Sequence, residues 1–185
     1  MVALVSSAVV MFLGRGLTAW QRGDGRLQQL FEVEKGLEGL GEDLRNSLSL
    51  ASRPFDGTAS ALGFARAEDA TDLEWVSYQL AGGAGGQTLI RERTSFPEEA
   101  GEIPQRKTVL HGLVGFSVEY GALEEAGGQR TLQWVGSWSG SGQPTRVPRL
   151  IRVMVRVDDP KGGIHSVTRE FWIPHGVLAS PPASS

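Results

Sequence analysis

Residues 151–173 read IRVMVRVDDPKGGIHSVTREFWI. Ile151, Val153, Val155 and Val157 alternate with Arg152, Met154 and Arg156, the period of a strand buried on one face. Asp158-Asp159-Pro160-Lys161-Gly162-Gly163 is a turn signal, and Val167 to Ile173 reads as the returning strand. No other hairpin in the chain is written as clearly, and its period carries upstream. Thr131 to Trp138 sets Leu132, Trp134 and Trp138 on one face. Val109 to Tyr120 sets Val114, Phe116, Val118 and Tyr120 opposite Gly115, Ser117 and Glu119. From Leu73, Trp75, Ser77 and Gln79 alternate with Val76, Tyr78 and Leu80; Gly82–Gly86 reads as a turn and Thr88 to Thr94 as its return. A polar loop is expected over Pro97 to Pro104.

Before residue 54 the period is helical. Leu27, Leu30, Phe31, Leu37, Leu40, Leu44 and Leu48 recur at steps of three, four or their sums, one stripe of an amphipathic helix. Leu37 to Leu48 is expected to pack on its own domain, and Pro54 with Asp56-Gly57 to end the helix. Met1 to Leu13, MVALVSSAVVMFL, is uncharged. It falls short of the roughly 20 apolar residues of a membrane span. A signal peptide would need a positive start and a small-residue cleavage site, which this run lacks. A buried helix and a spanning helix whose beginning lies upstream are the other readings; the latter is preferred, with Arg15 and Arg22 just outside the lipid. Gly14, Gly16, Gly23 and Gly25 separate the run from the stripe, each costing about 1 kcal/mol against Ala inside a helix. The glycines up to Gly41 are expected to be weak points of one long helix. The fold class that follows is α+β: a long N-terminal helix packed on an antiparallel β-rich head.

Composition narrows the chemistry. The 185 residues carry a net charge of −3, which argues against a dedicated nucleic-acid binder. There is no cysteine, so no disulfide framework, Cys-ligated zinc or thiol nucleophile. The 25 glycines are about twice the usual share. Gly82–Gly86 lacks the Gly-Lys-Ser/Thr of a phosphate loop and precedes a strand pattern. Asp158 and Asp159 lack the spaced oxygen ligands of a calcium loop. His111, His165 and His175 show no metal-ligand spacing, and no Gly-x-Ser-x-Gly occurs. No catalytic residue, metal site or cofactor is expected, and no small-molecule substrate. Arg146, Arg149, Arg152 and Arg156 form the densest basic stretch. It reads as a solvated or salt-bridged sheet face, with Arg149, Arg152 and Arg156 as a contact surface for an acidic partner if it is functional. Trp134, Trp138 and Trp172 read as core or cross-strand pairs.

Several segments, in order, resemble the minor pseudopilin J family of type II secretion systems, within the type IV pilin-like proteins. Met1-Val2-Ala3-Leu4 is similar to the continuation of the prepilin motif, which implies that the leader, cleavage glycine and glutamate lie upstream. Leu40-Gly41-Glu42-Asp43-Leu44-Arg45 resembles the L-x-x-D-L-R segment near the helix end. Phe55-Asp56-Gly57 and Ala61-Leu62-Gly63-Phe64 resemble the start of the head. Val76-Ser77-Tyr78-Gln79-Leu80, then Leu89-Ile90-Arg91 and Arg93, resemble a V-x-Y-x-L strand and its arginine-bearing partner. Val109–Phe116, the Trp134/Trp138 pair, Val147–Val153 and Arg169–Pro174 resemble later strands.

The resemblance implies structural work and no enzyme. It divides the chain into a transmembrane and assembly helix segment over 1–26, an amphipathic helix packed on the head over 27–53, a periplasmic β-rich head over 54–178 and a disordered tail over 179–185. The protein is expected in the bacterial inner membrane, single-pass, within a pseudopilus tip complex that primes fibre assembly and supports export of folded proteins. Its implied partners are minor pseudopilins of the I and K types and the major pseudopilin. Val5, Val9, Phe12, Leu13, Leu17 and Trp20 are the expected assembly residues. The alternatives are a minor pilin of a type IV pilus or competence system, and a periplasmic β-rich binding protein.

Overall fold

The computed structural model describes residues 27–50, 52–67, 72–83, 86–96, 102–126, 129–139, 147–159 and 162–174. Among these, α1 covers 27–45. The strands are β1 (Ser47–Leu48), β2 (Asp56–Gly57), β3 (Ala61–Ala67), β4 (Leu73–Gly83), β5 (Gly86–Phe96), β6 (Gln105–Ala126), β7 (Gln129–Val135), β8 (Trp138–Ser139), β9 (Leu150–Asp158) and β10 (Ile164–Trp172). They form one 10-stranded sheet in the order β10-β9-β6-β5-β4-β3-β2-β8, with β1 on β3 and β7 on β6.

This corrects the expected α+β class of a long helix packed on a β-rich head. Among the described residues the protein is mostly antiparallel strand, 65% against 16% helix, and the sheet curls into a half-barrel. The one helix among the described residues is short and is one element of a β fold. The expected segments 1–26 and 179–185 lie outside the described residues.

The curl follows from the length of β6. Its first part pairs with β5, from Arg93↔Gln105 to Gln87↔Leu113, and its end pairs with β7, from Tyr120↔Val135 to Ala126↔Gln129. On its other side Leu113 to Tyr120 pair with β9. Two residues beyond β7, β8 crosses to β2, setting Trp138 opposite Gly57. One strand thus feeds both ends of the run β5-β4-β3-β2-β8, and the sheet bends back on itself. An aromatic cluster fills the bend: Phe55 stacks on Phe64 at 5.7 Å and meets Tyr120 edge-on at 6.1 Å, while Tyr120 lies 6.5 Å from Trp138. The Tyr120 hydroxyl donates to the Thr58 carbonyl at 3.1 Å. No side chain fits at Gly57, whose missing Cβ would collide with that hydroxyl.

α1 lies across the concave face. Val33, Leu37, Leu40 and Leu44 are buried, the sheet-facing part of the expected stripe. Each contributes about 1.5–3 kcal/mol of apolar burial. Leu27 and Phe31 belong to the same spacing but are exposed, because the sheet-facing residues turn away from them around the helix. The stripe does not carry the helix to Leu48. The Asn46 amide donates to the Glu42 carbonyl and the Ser47 hydroxyl to the Leu44 carbonyl at 2.7 Å, and Ser47 and Leu48 pair with Arg66 and Ala65.

Gly36 and Gly41 are not weak points. A Cβ at Gly41 would lie 2.6 Å from the Phe171 ring, and one at Gly36 would lie 2.7 Å from Leu110. Both let the helix approach the sheet closely; Gly39 faces open space.

The period-two reading holds for β9, where Ile151, Val153, Val155 and Val157 are buried, and for Val76 and Tyr78 of β4. At the described positions of the expected turn, Gly162 and Gly163 have positive φ and the Asp159 amide donates to the Gly163 carbonyl. Three readings change. Val114 is exposed and Leu113 buried, because the β6–β9 register shifts between Leu113 and Gly115 and turns Val114 out of the Phe116 face. Leu132 is exposed and Trp138 buried, because Gly136 and Ser137 break the run into two strands. β3 carries no alternation, since Leu62 to Ala65 are all buried: the inner face meets the core, and Trp75 covers Gly63 on the outer face.

Candidate interaction surface

Asp43 sits near the C-terminal end of α1, on the face that meets β3, β4 and β5. It is 4% exposed. The Tyr78 hydroxyl donates to its Oδ2 at 2.6 Å. Arg91 grips the carboxylate with both arms, Nε to Oδ2 at 2.6 Å and Nη2 to Oδ1 at 2.8 Å. Tyr78 and Arg91 are register partners across β4 and β5, so one strand pair presents both donors. Arg66 of β3 brings its Nε to 3.4 Å from Oδ1 without hydrogen-bonding geometry, a charge contact only. Glu74 then links Arg66 at 3.7 Å to Arg93 at 3.3 Å.

Burial, and after it the Asp43 carboxylate, raises the Tyr78 pKa well above the ordinary tyrosine value. For Arg91, burial works to lower the pKa, but the hydrogen bond and charge of Asp43 outweigh it and the net shift is upward. Both partners of Asp43 therefore stay protonated over the physiological range, and both oxygens of the carboxylate are engaged. The cluster is a clamp between helix and sheet; it leaves no free base.

Beside the clamp a groove of about 670 Å³ runs between α1 and strands β3 to β6. Arg66, Arg91, Arg93 and Lys107 of the strands line it opposite Glu32, Glu38, Glu42 and Asp43 of α1, with Lys35 on the helix wall beside the acids. It is a charged groove, not the apolar pocket that the reading as a periplasmic binding protein calls for. Among the described residues no group of three or more His, Cys, Asp or Glu is placed to hold a metal ion.

The convex face of β7, β6, β9 and β10 carries the three expected partner-surface arginines, and the structure separates their situations. Arg152 is engaged: Nε and Nη2 reach Glu170 Oε1 at 3.0 and 2.8 Å, Nη1 reaches Glu119 Oε2 at 3.3 Å, and the guanidinium lies 3.9 Å above the Trp134 ring. Arg149 lies 4.4 Å above the Trp172 ring, and its Nε is buried with no hydrogen-bond partner. Arg156 is exposed and spreads over Gly115. Trp138 is in the core, whereas Trp134 and Trp172 stack with arginines on this outer face. The expected assembly residues Val5, Val9, Phe12, Leu13, Leu17 and Trp20 lie outside the described residues.

The clamp was within reach of the sequence in part. The segment Leu40–Arg45 and the arginines of β5 stand out in it. Their partnership does not, because 48 residues separate Asp43 from Arg91.

The family model for protein J of the type II secretion system matches residues 12–169. The chain belongs to the type II secretion system protein J family, a structural component of that machinery of the pseudopilin kind. No curated protein matches it.

Proposed function

We propose that this protein is a minor pseudopilin that joins the pseudopilus tip, primes fibre assembly and so supports export of folded proteins. The family match over residues 12–169 carries this reading, and it favours the secretion machinery over a type IV pilus or competence system. Minor pseudopilins of the I and K types and the major pseudopilin are the proposed partners. Among the described residues no helix is long and apolar enough to cross a membrane. The proposed inner-membrane and assembly segment is 1–26, with Val5, Val9, Phe12, Leu13, Leu17 and Trp20 packing against neighbouring subunits. The β-rich region faces the periplasm. Apolar side chains that leave lipid for a neighbouring subunit gain close packing without exposure to water, which suits reversible fibre growth.

Deletion of the gene should abolish secretion of the host's type II substrates, and the full-length gene should restore it. Val9→Lys with Phe12→Lys should fail to restore it and should weaken recovery with other pseudopilins. Normal secretion in the deletion strain would remove the reading.

A further inference from the structure

We infer that the convex face of β6, β9 and β10 is a docking surface for an extended acidic segment of another protein of the assembly. The inference rests on the pseudopilin reading and adds a surface and a partner chemistry to it. Four side-chain rows cross this face. In the first, Trp134 pairs with Gly121 and Trp172 with Leu150; a Cβ at Gly121 would meet Leu150 at 2.9 Å and Leu132 at 3.3 Å, so Leu150 and Leu132 close over the glycine. Leu132 is 40% exposed and Trp172 52%, which leaves an apolar strip open to solvent. The second row is Glu119, Arg152 and Glu170, in which the one guanidinium pairs with both carboxylates. The third is Ser117, Met154 and Thr168, and the fourth Gly115, Arg156 and Ser166.

Two guanidinium groups therefore bracket the face. Arg149 stands over Trp172 beside the first row, and Arg156 lies in the fourth. Neither has a carboxylate partner among the described residues, and the Arg149 Nε is a buried donor left unmet. Arg149 stands at the bend before β9, and the six-residue rise of the strand from Leu150 to Arg156 is about 20 Å. Between the two arginines, the second row sets one guanidinium against two carboxylates and the third, Ser117, Met154 and Thr168, carries no charge, so the unpaired positive charge lies at the two edges of the face. Tryptophan and arginine are the residues enriched where binding energy concentrates. A matching segment carries a carboxylate for each arginine, about 20 Å apart by the same strand rise, and an apolar side chain for the Trp172–Leu132 strip.

The test places a photocrosslinking amino acid at Trp172, at Arg156 and, for comparison, at Phe31 on α1, in full-length protein expressed with the complete secretion machinery. Adducts are mapped to the peptide. Adducts from Trp172 and Arg156 should fall in one segment of another protein rich in Asp and Glu. Arg149→Glu with Arg156→Glu should cut the Trp172 yield, and Arg149→Glu alone the yield from position 156, by at least about tenfold, the weight of one good charge contact. Reversing the acidic residues of the mapped segment should restore it. Circular dichroism of the purified double variant should match the parent. The inference is overturned if neither position gives an adduct while Phe31 does, if the mapped segment is neutral or basic, if it belongs to a second copy of this chain, or if charge reversal leaves the yield unchanged. Normal secretion in a deletion strain would instead remove the pseudopilin reading, whatever the adducts show.

Discussion

Asp43 and Arg91 form a two-armed ion pair, 2.6 and 2.8 Å, across 48 residues of chain. The carboxylate is 5% exposed and the guanidinium 16%. This pair, with Tyr78, fixes where the end of α1 meets the strand pair β4–β5.

Removing the carboxylate leaves the Arg91 charge buried beside Arg66. Asp43→Asn should lower stability by about 3 kcal/mol, the range for breaking one half of a buried pair. The double variant Asp43→Asn with Arg91→Gln should cost less than the sum of the two single changes. Urea denaturation of all four forms measures this, and strict additivity would show that the pair is not coupled.

Two glycines of the same helix should respond with opposite signs. Gly39→Ala meets open space and should stabilise by up to about 1 kcal/mol from helix propensity. Gly41→Ala drives a methyl into the buried Phe171 ring and should destabilise by about 1–3 kcal/mol, the usual cost of overpacking. Thermal melts of the two variants decide the matter. Phe171→Leu should recover part of the Gly41→Ala loss by opening room.

Both tyrosines of the chain, Tyr78 and Tyr120, are buried with raised pKa values. Burial is the largest cause in each; the charge of Asp43 adds to it at Tyr78 and that of Asp56 at Tyr120. A raised folded pKa gives stability that is complete below the unfolded value, about 10, and lost as pH rises above it. Tyrosinate absorbance should therefore stay flat through the ordinary tyrosine range. It should appear in one step together with loss of far-ultraviolet dichroism. A gradual rise near pH 10 in folded protein would contradict the burial of these side chains.

The bend of the sheet offers a graded pair. Tyr120→Phe removes the hydroxyl bond to the Thr58 carbonyl and should cost about 1 kcal/mol. Gly57→Ala places a methyl against that hydroxyl and should cost more. Combined, the two should cost somewhat less than their sum, since the first change removes the nearest atom the second strikes while the ring carbon Cζ, which that methyl also strikes, stays. Chemical denaturation curves test the order and the coupling.

What the sequence by itself determined is local and periodic. The β9–β10 hairpin, its Gly162-Gly163 turn, the β4 alternation and the stripe Leu37–Leu40–Leu44 were legible because side-chain period follows backbone geometry within one element. The ordered motifs also pointed to the secretion protein J family, which the match over 12–169 shows. The tertiary structure alone decided the balance of the fold. β3 is buried on both faces and so has no period to read, and a register shift at Leu113/Gly115 turns Val114 outward. It also decided which charges are spent. Arg152 is paired with Glu119 and Glu170 from two neighbouring strands, and Asp43 with residues from β4 and β5, whereas among the described residues Arg149 and Arg156 have no carboxylate partner. Such pairings depend on strand register and on the curl of the sheet. These arise only when the long β6 is shared by β5, β7 and β9, and no local pattern encodes them.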